Sequence, residues 1–227
     1  MEHVLDNPIY HALTSGHRHL AKGVDEVKYY TEDITAFAGL KDNSQENLNT
    51  LYQITPAESL FVFFAKTPVE IPAQWKLLTH IEMFQFIFRG KDIPAIDAPA
   101  ITDLDLAHVA EMTDLVELTK PGPFLSKTIE LSNYTGIFKE GKLAAMAGHR
   151  FFPSPYREVS AVCTHPDHLG KGYAFKILQE QIKRILLRDE IPFLHVRNDN
   201  EGAIKLYQKL GFKIRTEMIA YVIKKEA

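Results

Sequence analysis

The chain has 227 residues and a mass of 25.8 kDa, with 45% hydrophobic, 24% charged and 11% aromatic residues. That composition excludes a disordered chain, a collagen-like repeat and a disulfide scaffold, and leaves room for one large or two small domains. The formal net charge is −3 and no basic run is interleaved with aromatics, so nucleic acid is not an expected partner.

In chain order, Met1 to Leu20 carries Asp6, Pro8 and four histidines where an apolar leader would stand. Val27 to Leu40 reads as extended, Gln45 to Gln53 as helical, and Ser59 to Ala65 as an apolar strand. In Met83 to Arg89, Phe84, Phe86 and Phe88 share one parity and Gln85 and Arg89 the other, which predicts a strand with an aromatic core face. Gly90 to Pro99 holds Pro94 and Pro99, lacks helical period and reads as a linker. It divides the chain into an N-terminal α+β domain, 1–95, and a second domain, 96–227. No stretch reaches the ~18 apolar residues of a membrane span.

The second part is richer in signals. Thr102 or Asp103 is placed to cap a helix running to about Leu118, stopped by Pro121-Gly122-Pro123. Thr135 to Lys139 and Leu143 to Phe152 flank a Glu140-Gly141-Lys142 turn as a hairpin. Glu158 to Thr164 is a strand closed by Pro166. Gly170 and Gly172 open a helix with an apolar stripe at Ala174, Ile177, Leu178, Ile182, Ile185 and Leu186. Phe193 to Val196 is a short strand, Asn200 caps a helix that Gly211 ends, and Phe212 to Ile223 is the last strand. The alternation predicts an α/β fold with helices covering a mixed sheet.

Chemistry concentrates in Val162 to Ala174, where a strand meets a glycine-containing turn that enters a long helix. The first turn of a helix offers unpaired N–H groups and the positive dipole end, which suit a phosphate. The spacing is neither G-x-x-x-x-G-K-[ST] nor G-x-G-x-x-G, so a nucleoside triphosphatase or a dinucleotide fold is disfavoured. A plain tight turn is the other reading of the same glycines.

Read together with His195 to Phe212, this stretch closely resembles the GNAT superfamily of acyl-CoA-dependent N-acyltransferases. The family loop Arg/Gln-x-x-Gly-x-Gly/Ala falls on Leu169, Gly172 and Ala174, with leucine replacing the usual first residue. The downstream signature Asn-x-x-Ala-x-x-Leu-Tyr-x-x-x-Gly-Phe is complete at Asn200, Ala203, Leu206, Tyr207, Gly211 and Phe212. The resemblance spans residue 100 to the C-terminus. It implies a GNAT-like mixed, mostly antiparallel sheet flanked by helices, preceded by the smaller α+β domain. It further implies acetyl-CoA as co-substrate, with the pyrophosphate on the amides of Leu169, Gly170, Lys171, Gly172, Tyr173 and Ala174. The pantetheine arm would pair with the strand through Val162, Cys163 and Thr164, beside Asn200. The Val162 N–H would polarise the thioester, and Tyr207 would protonate the departing thiolate.

The expected reaction is direct attack by a primary amine of a small molecule or amino acid, without metal, in the cytoplasm; whether the chain forms a homodimer is left open. Glu158 shares strand parity with Val162 and Thr164 and is the expected base, with His149 as the other candidate. Tyr207 also lies on the apolar stripe of its helix, where a core role is the alternative. Cys163 has the opposite parity and reads as core. Two rival functions stay open: a coenzyme A-binding regulatory module without turnover, and a ping-pong acyltransferase through Cys163. His11, His17 and His19, or His165 and His168, show no metal-ligand spacing.

Overall fold

The computed structural model describes residues 3–90, 101–120, 122 and 124–226. Helix α1 (Pro8–Thr14) packs on a small antiparallel sheet of β1 (Lys22–Gly23), β2 (Val27–Tyr29) and β3 (Ala38–Leu40). Helix α2 (Gln45–Ile54), whose Ser44 cap accepts from the Asn47 N–H, precedes β4 (Leu60–Ala65) and β5 (Trp75–Phe88). After the undescribed 91–100 come β6 (Thr102–Asp103), α3 (Val109–Thr119), β7 (Thr135–Lys139), β8 (Lys142–His149) and β9 (Tyr156–Thr164). Helix α4 (Tyr173–Leu186), β10 (Ile191–Arg197), α5 (Glu201–Lys209) and β11 (Phe212–Lys225) complete the chain.

Eight strands form one sheet in the order β4-β11-β5-β10-β9-β8-β7-β6. Every neighbouring pair is antiparallel except β9 and β10. The mixed, mostly antiparallel sheet flanked by helices is as expected. The domain boundary expected between 95 and 96 lies outside the described residues. Strands from both sides of it share the large sheet, with β11 seated between β4 and β5.

Helices α4 and α5 cover one face of the sheet. Their apolar stripe (Leu178, Ile182, Ile185 and Tyr207) packs on Phe86, Val159, Leu194 and Phe212. The other face packs Leu5, Ile9, Tyr30, Phe37 and Phe64 against Ile87, Phe151 and Phe193. From Met83 to Phe88 both faces of β5 are therefore buried, the one carrying Gln85 as well as the aromatic one. Gln85 is fully buried because its amide spans three partners: the Leu5 carbonyl, His195 and Arg215. The strand also starts earlier than Met83, at Trp75, because β11 pairs along its whole length.

Other differences are local. Val27 to Leu40 is two short strands rather than one. Thr102 and Asp103 pair with β7 instead of capping a helix, and the cap falls to Asp105. A two-residue edge strand has no signature of its own; only its partner defines it. The second hairpin strand ends at His149, although the Arg150 N–H still donates to the Glu158 carbonyl of β9 at 3.0 Å.

Candidate active site

Strand β9 carries an irregularity that organises the site. Its register with β8 passes from Ser160↔Gly148 to Cys163↔Met146, so Ala161 and Val162 stand together opposite Ala147. Ala161 adopts φ of 52°, and this extra residue makes a β-bulge. Beyond the bulge the side-chain alternation is reversed. Val159 and Val162 pack with the helix α4 side, whereas Ala161 and Cys163 pack with α3. Strands β9 and β10 pair only over Tyr156–Glu158 and Ile191–Phe193, and then part.

On the α4 face the parted strands lead to the turn at Gly170 and Gly172, with φ of 73° and 76°. A Cβ at either would meet no atom within 4 Å, so open space lies in front of both. The first bond of α4 runs from Lys176 N–H to Gly172 O, and Gly172 supplies no side-chain cap. The amides of Tyr173, Ala174 and Phe175 thus start the helix without an intrahelical acceptor. The Leu169 N–H, expected in this cradle, is bonded to Pro166 O at 3.2 Å and is already occupied. Thr164, Leu169, Gly172, Phe175, Leu206 and Lys209 border a cleft of about 440 Å³. The Thr164 hydroxyl is buried there with no hydrogen-bond partner among the described residues. Lys171 is exposed and bonds Asp167 O and His168 Nδ1, while Asn200 Oδ1 caps α5 through the Ala203 N–H. This cleft fits an extended ligand with an anionic group: open amides at one end, parted strands at the other.

Tyr207 lies on the same face, 7% exposed among Phe86 and Phe212. Burial pushes its phenol up to about 12, so at neutral pH the hydroxyl keeps its proton. A protonated phenol there can donate a proton and cannot act as a base.

Glu158 is not where parity placed it. The bulge separates it from Val162, and its carboxylate lies on the opposite face, fully buried. Arg150 donates to it from Nε at 2.8 Å and from Nη2 at 2.6 Å, and His195 Nδ1 donates at 2.6 Å. Burial works to raise its pKa, but the Arg150 charge and these hydrogen bonds overcome that and hold it at about 2. An ionised, fully engaged carboxylate is a poor proton acceptor. His195 is kept neutral by burial, partly opposed by Glu158. Its Nε2 accepts from the Gln85 amide at 2.9 Å. Gln85 is bonded in turn by Arg215, which pairs with Asp6.

His149 shares parity with Ala145 and Ala147, which pack on Ile177 of α4. It is 1% exposed, neither ring nitrogen has a hydrogen-bond partner among the described residues, and burial drives its pKa well down. It faces the α4 side and reaches neither cleft. Cys163 is buried in the α3 cluster, and burial raises its thiol to about 11, which leaves little thiolate for nucleophilic attack. Sequence reading missed Arg150, His195 and the Gln85 chain. The buried amide in an apolar strand was the one available signal.

The FR47-like protein family model matches residues 134–220, from the start of β7 into β11. Over 131 residues, 54% of this chain and 81% of the relative, the sequence is 29% identical to the N-alpha-acetyltransferase RimI of Mycobacterium tuberculosis. An acetyltransferase assigned to the GNAT family, from Novosphingobium aromaticivorans, is 30% identical with a TM-score of 0.91, covering 100% of both chains. The chain belongs to the GNAT superfamily. This GNAT protein is an acyltransferase. A GCN5-related N-acetyltransferase from Kribbella flavida shares the GNAT fold at 10% identity, with a TM-score of 0.60 over 97% and 96% of the two chains. Among the described residues no helix is long and apolar enough to cross a membrane.

Proposed function

We propose that the enzyme moves an acetyl group from acetyl-CoA to a primary amine of a small molecule or amino acid, with both substrates bound together. The observation that carries this reading is the bulged strand β9, which has an open amide cradle and cleft on one face and a separate cavity on the other. Open amides from Gly170 to Ala174 hold the donor's diphosphate, with Lys171 beside them. The strand from Val162 through Cys163 to Thr164 aligns the arm, near Asn200. The Val162 N–H beside the bulge donates to the developing oxyanion; losing such a donor typically costs a hundred- to a thousand-fold in rate, ~2.7–4 kcal/mol. Tyr207 gives its proton to the departing thiolate.

Glu158 serves here by holding Arg150 rather than by taking the amine's proton. No carboxylate or imidazole is among the described residues lining the second cavity, so the proton leaves to water. An alkylammonium has a pKa of about 10.4, and the rate should climb as pH rises toward it. On the same reading, the lone cysteine and an acyl-CoA donor support a cytoplasmic setting for this chemistry.

Thiol release from acetyl-CoA, screened against amines and amino acids with longer acyl donors alongside, tests the proposal. Amine-dependent release with an acetylated amine by mass spectrometry is expected. Coenzyme binding without release for any amine would overturn it, and so would an acetyl group found on the protein.

A further inference from the structure

The cavity on the second face of β9 carries an unused recognition group. Arg150 lies in its wall, with Thr35, Tyr134, Ser160 and Ala161. A guanidinium has five N–H donors on two usable edges. Glu158 occupies the Nε–Nη2 edge of Arg150, which leaves the Nη1–Nη2 end with no partner among the described residues. Phe151 and Phe37 lie 4.8 and 5.0 Å from its Cζ and, with their own centroids 4.9 Å apart, flank the group on one side. With the other edge taken by Glu158, this free end is the part of the group left to meet a ligand in the cavity. Four hydroxyl-bearing residues, Thr35, Thr128, Tyr134 and Ser160, share the wall. Thr128 already donates to the Ile34 carbonyl, the other three can donate to a ligand, and burial keeps the Tyr134 phenol protonated. A lining rich in donors and without carboxylates selects an anion over an amide or an ammonium.

The geometry points to an acceptor that carries a carboxylate, bound end-on by Arg150, with its amine directed to the bulge at Ala161. This rests on the transfer reading above and narrows its substrate class to free amino acids. The cavity measures about 30 Å³. At ~10–15 Å³ per water that is space for about two waters, which the two oxygens of a carboxylate would replace. His195 is a positioning residue in this arrangement. By fixing Glu158 from behind, it fixes the edge of Arg150 that stays open.

The test compares glycine, alanine and methionine with their carboxamides and with an alanine-initiated tripeptide, using acetyl-CoA and the full chain. Wild type should show kcat/KM at least tenfold higher for the free acids than for the amides. Arg150→Lys keeps a charge for Glu158 but loses the fork, so it should erase at least tenfold of that preference through the acceptor KM, with the acetyl-CoA KM unchanged. Ser160→Ala leaves the ion pair intact and should raise the acid KM about threefold, which decides the matter if the lysine variant does not fold. Equal rates for acids and amides, or a preference for the tripeptide, would overturn the assignment. Calorimetry with the same acid–amide pairs in the presence of coenzyme A reads the contact without turnover. Selective binding of acids with no thiol release would overturn the transfer reading and leave the carboxylate site standing. Equal binding of the pairs, or none, would overturn the site.

Discussion

On one side of β9 the cleft proposed for the donor is made almost wholly of backbone: two left-handed glycines, the first amides of α4 and a bulge that turns Val162 toward it. On the other side the cavity is made of side chains, and Arg150, Glu158, His195 and Gln85 come from four separate segments. A backbone site needs only short, contiguous sequence, and it tolerates Leu169 at its entrance because no side-chain contact defines it. A side-chain site of buried charges depends on every partner at once. The two faces should therefore fail in different ways.

Glu158→Gln is the harshest test of the difference. It strands the Arg150 charge in the interior, and breaking a buried pair costs about 3–5 kcal/mol. Denaturant unfolding should show that loss, while calorimetric coenzyme affinity in the folded protein stays within about twofold. An unchanged unfolding midpoint would abolish the contrast.

Acid should act on the same face. His17, 5% exposed and bonded to Tyr30, has its pKa lowered by burial to about 4, and burial also lowers His195. The folded protein thus binds fewer protons than the unfolded chain between these values and the ordinary value of 6.5. Stability is full above that value and falls as pH drops through it, by roughly 3 kcal/mol for His17 alone near pH 4, at 1.36 kcal/mol per pKa unit. Thermal unfolding at pH 7 and pH 4.5 should show the drop, and His17→Gln should flatten it. A pH-independent curve would contradict the neutral burial of these rings.

For the backbone face, Gly172→Glu puts a strained side chain and a negative charge before the amides, and the coenzyme Kd should rise at least tenfold, or ~1.4 kcal/mol. Unchanged affinity would move the diphosphate elsewhere. Tyr207→Phe should lower kcat about fivefold with little change in coenzyme affinity, because a thiolate leaves readily without much help. Equal kcat would return Tyr207 to the core. Smallest of all, Cys163→Ala should leave transfer within about twofold; abolished turnover and an acylated wild-type protein would revive the ping-pong route.

The contrast also explains what the sequence disclosed. The α4 stripe, the Gly170–Gly172 turn, the Asn200 cap and the final helix and strand were legible because each is a local pattern in contiguous residues. The bulge was not, since Ala161 carries no glycine, asparagine or aspartate to announce a positive φ. One unseen residue reversed the parity argument and put Glu158 on the wrong face. Gln85 read only as lying opposite the aromatic face, because nothing near it in sequence names Arg215 or Leu5 as its partners.

The place of β11 bears on how the protein comes to be made. Its two neighbours, β4 and β5, emerge from the ribosome early and must wait, edge to edge with an empty slot, until the final strand arrives to fill it. Long-range closure of this kind is slow. Nascent chains of this enzyme are therefore expected to expose Phe61, Phe63 and Phe86 until β11 has been made, and to lean on holdase chaperones until then.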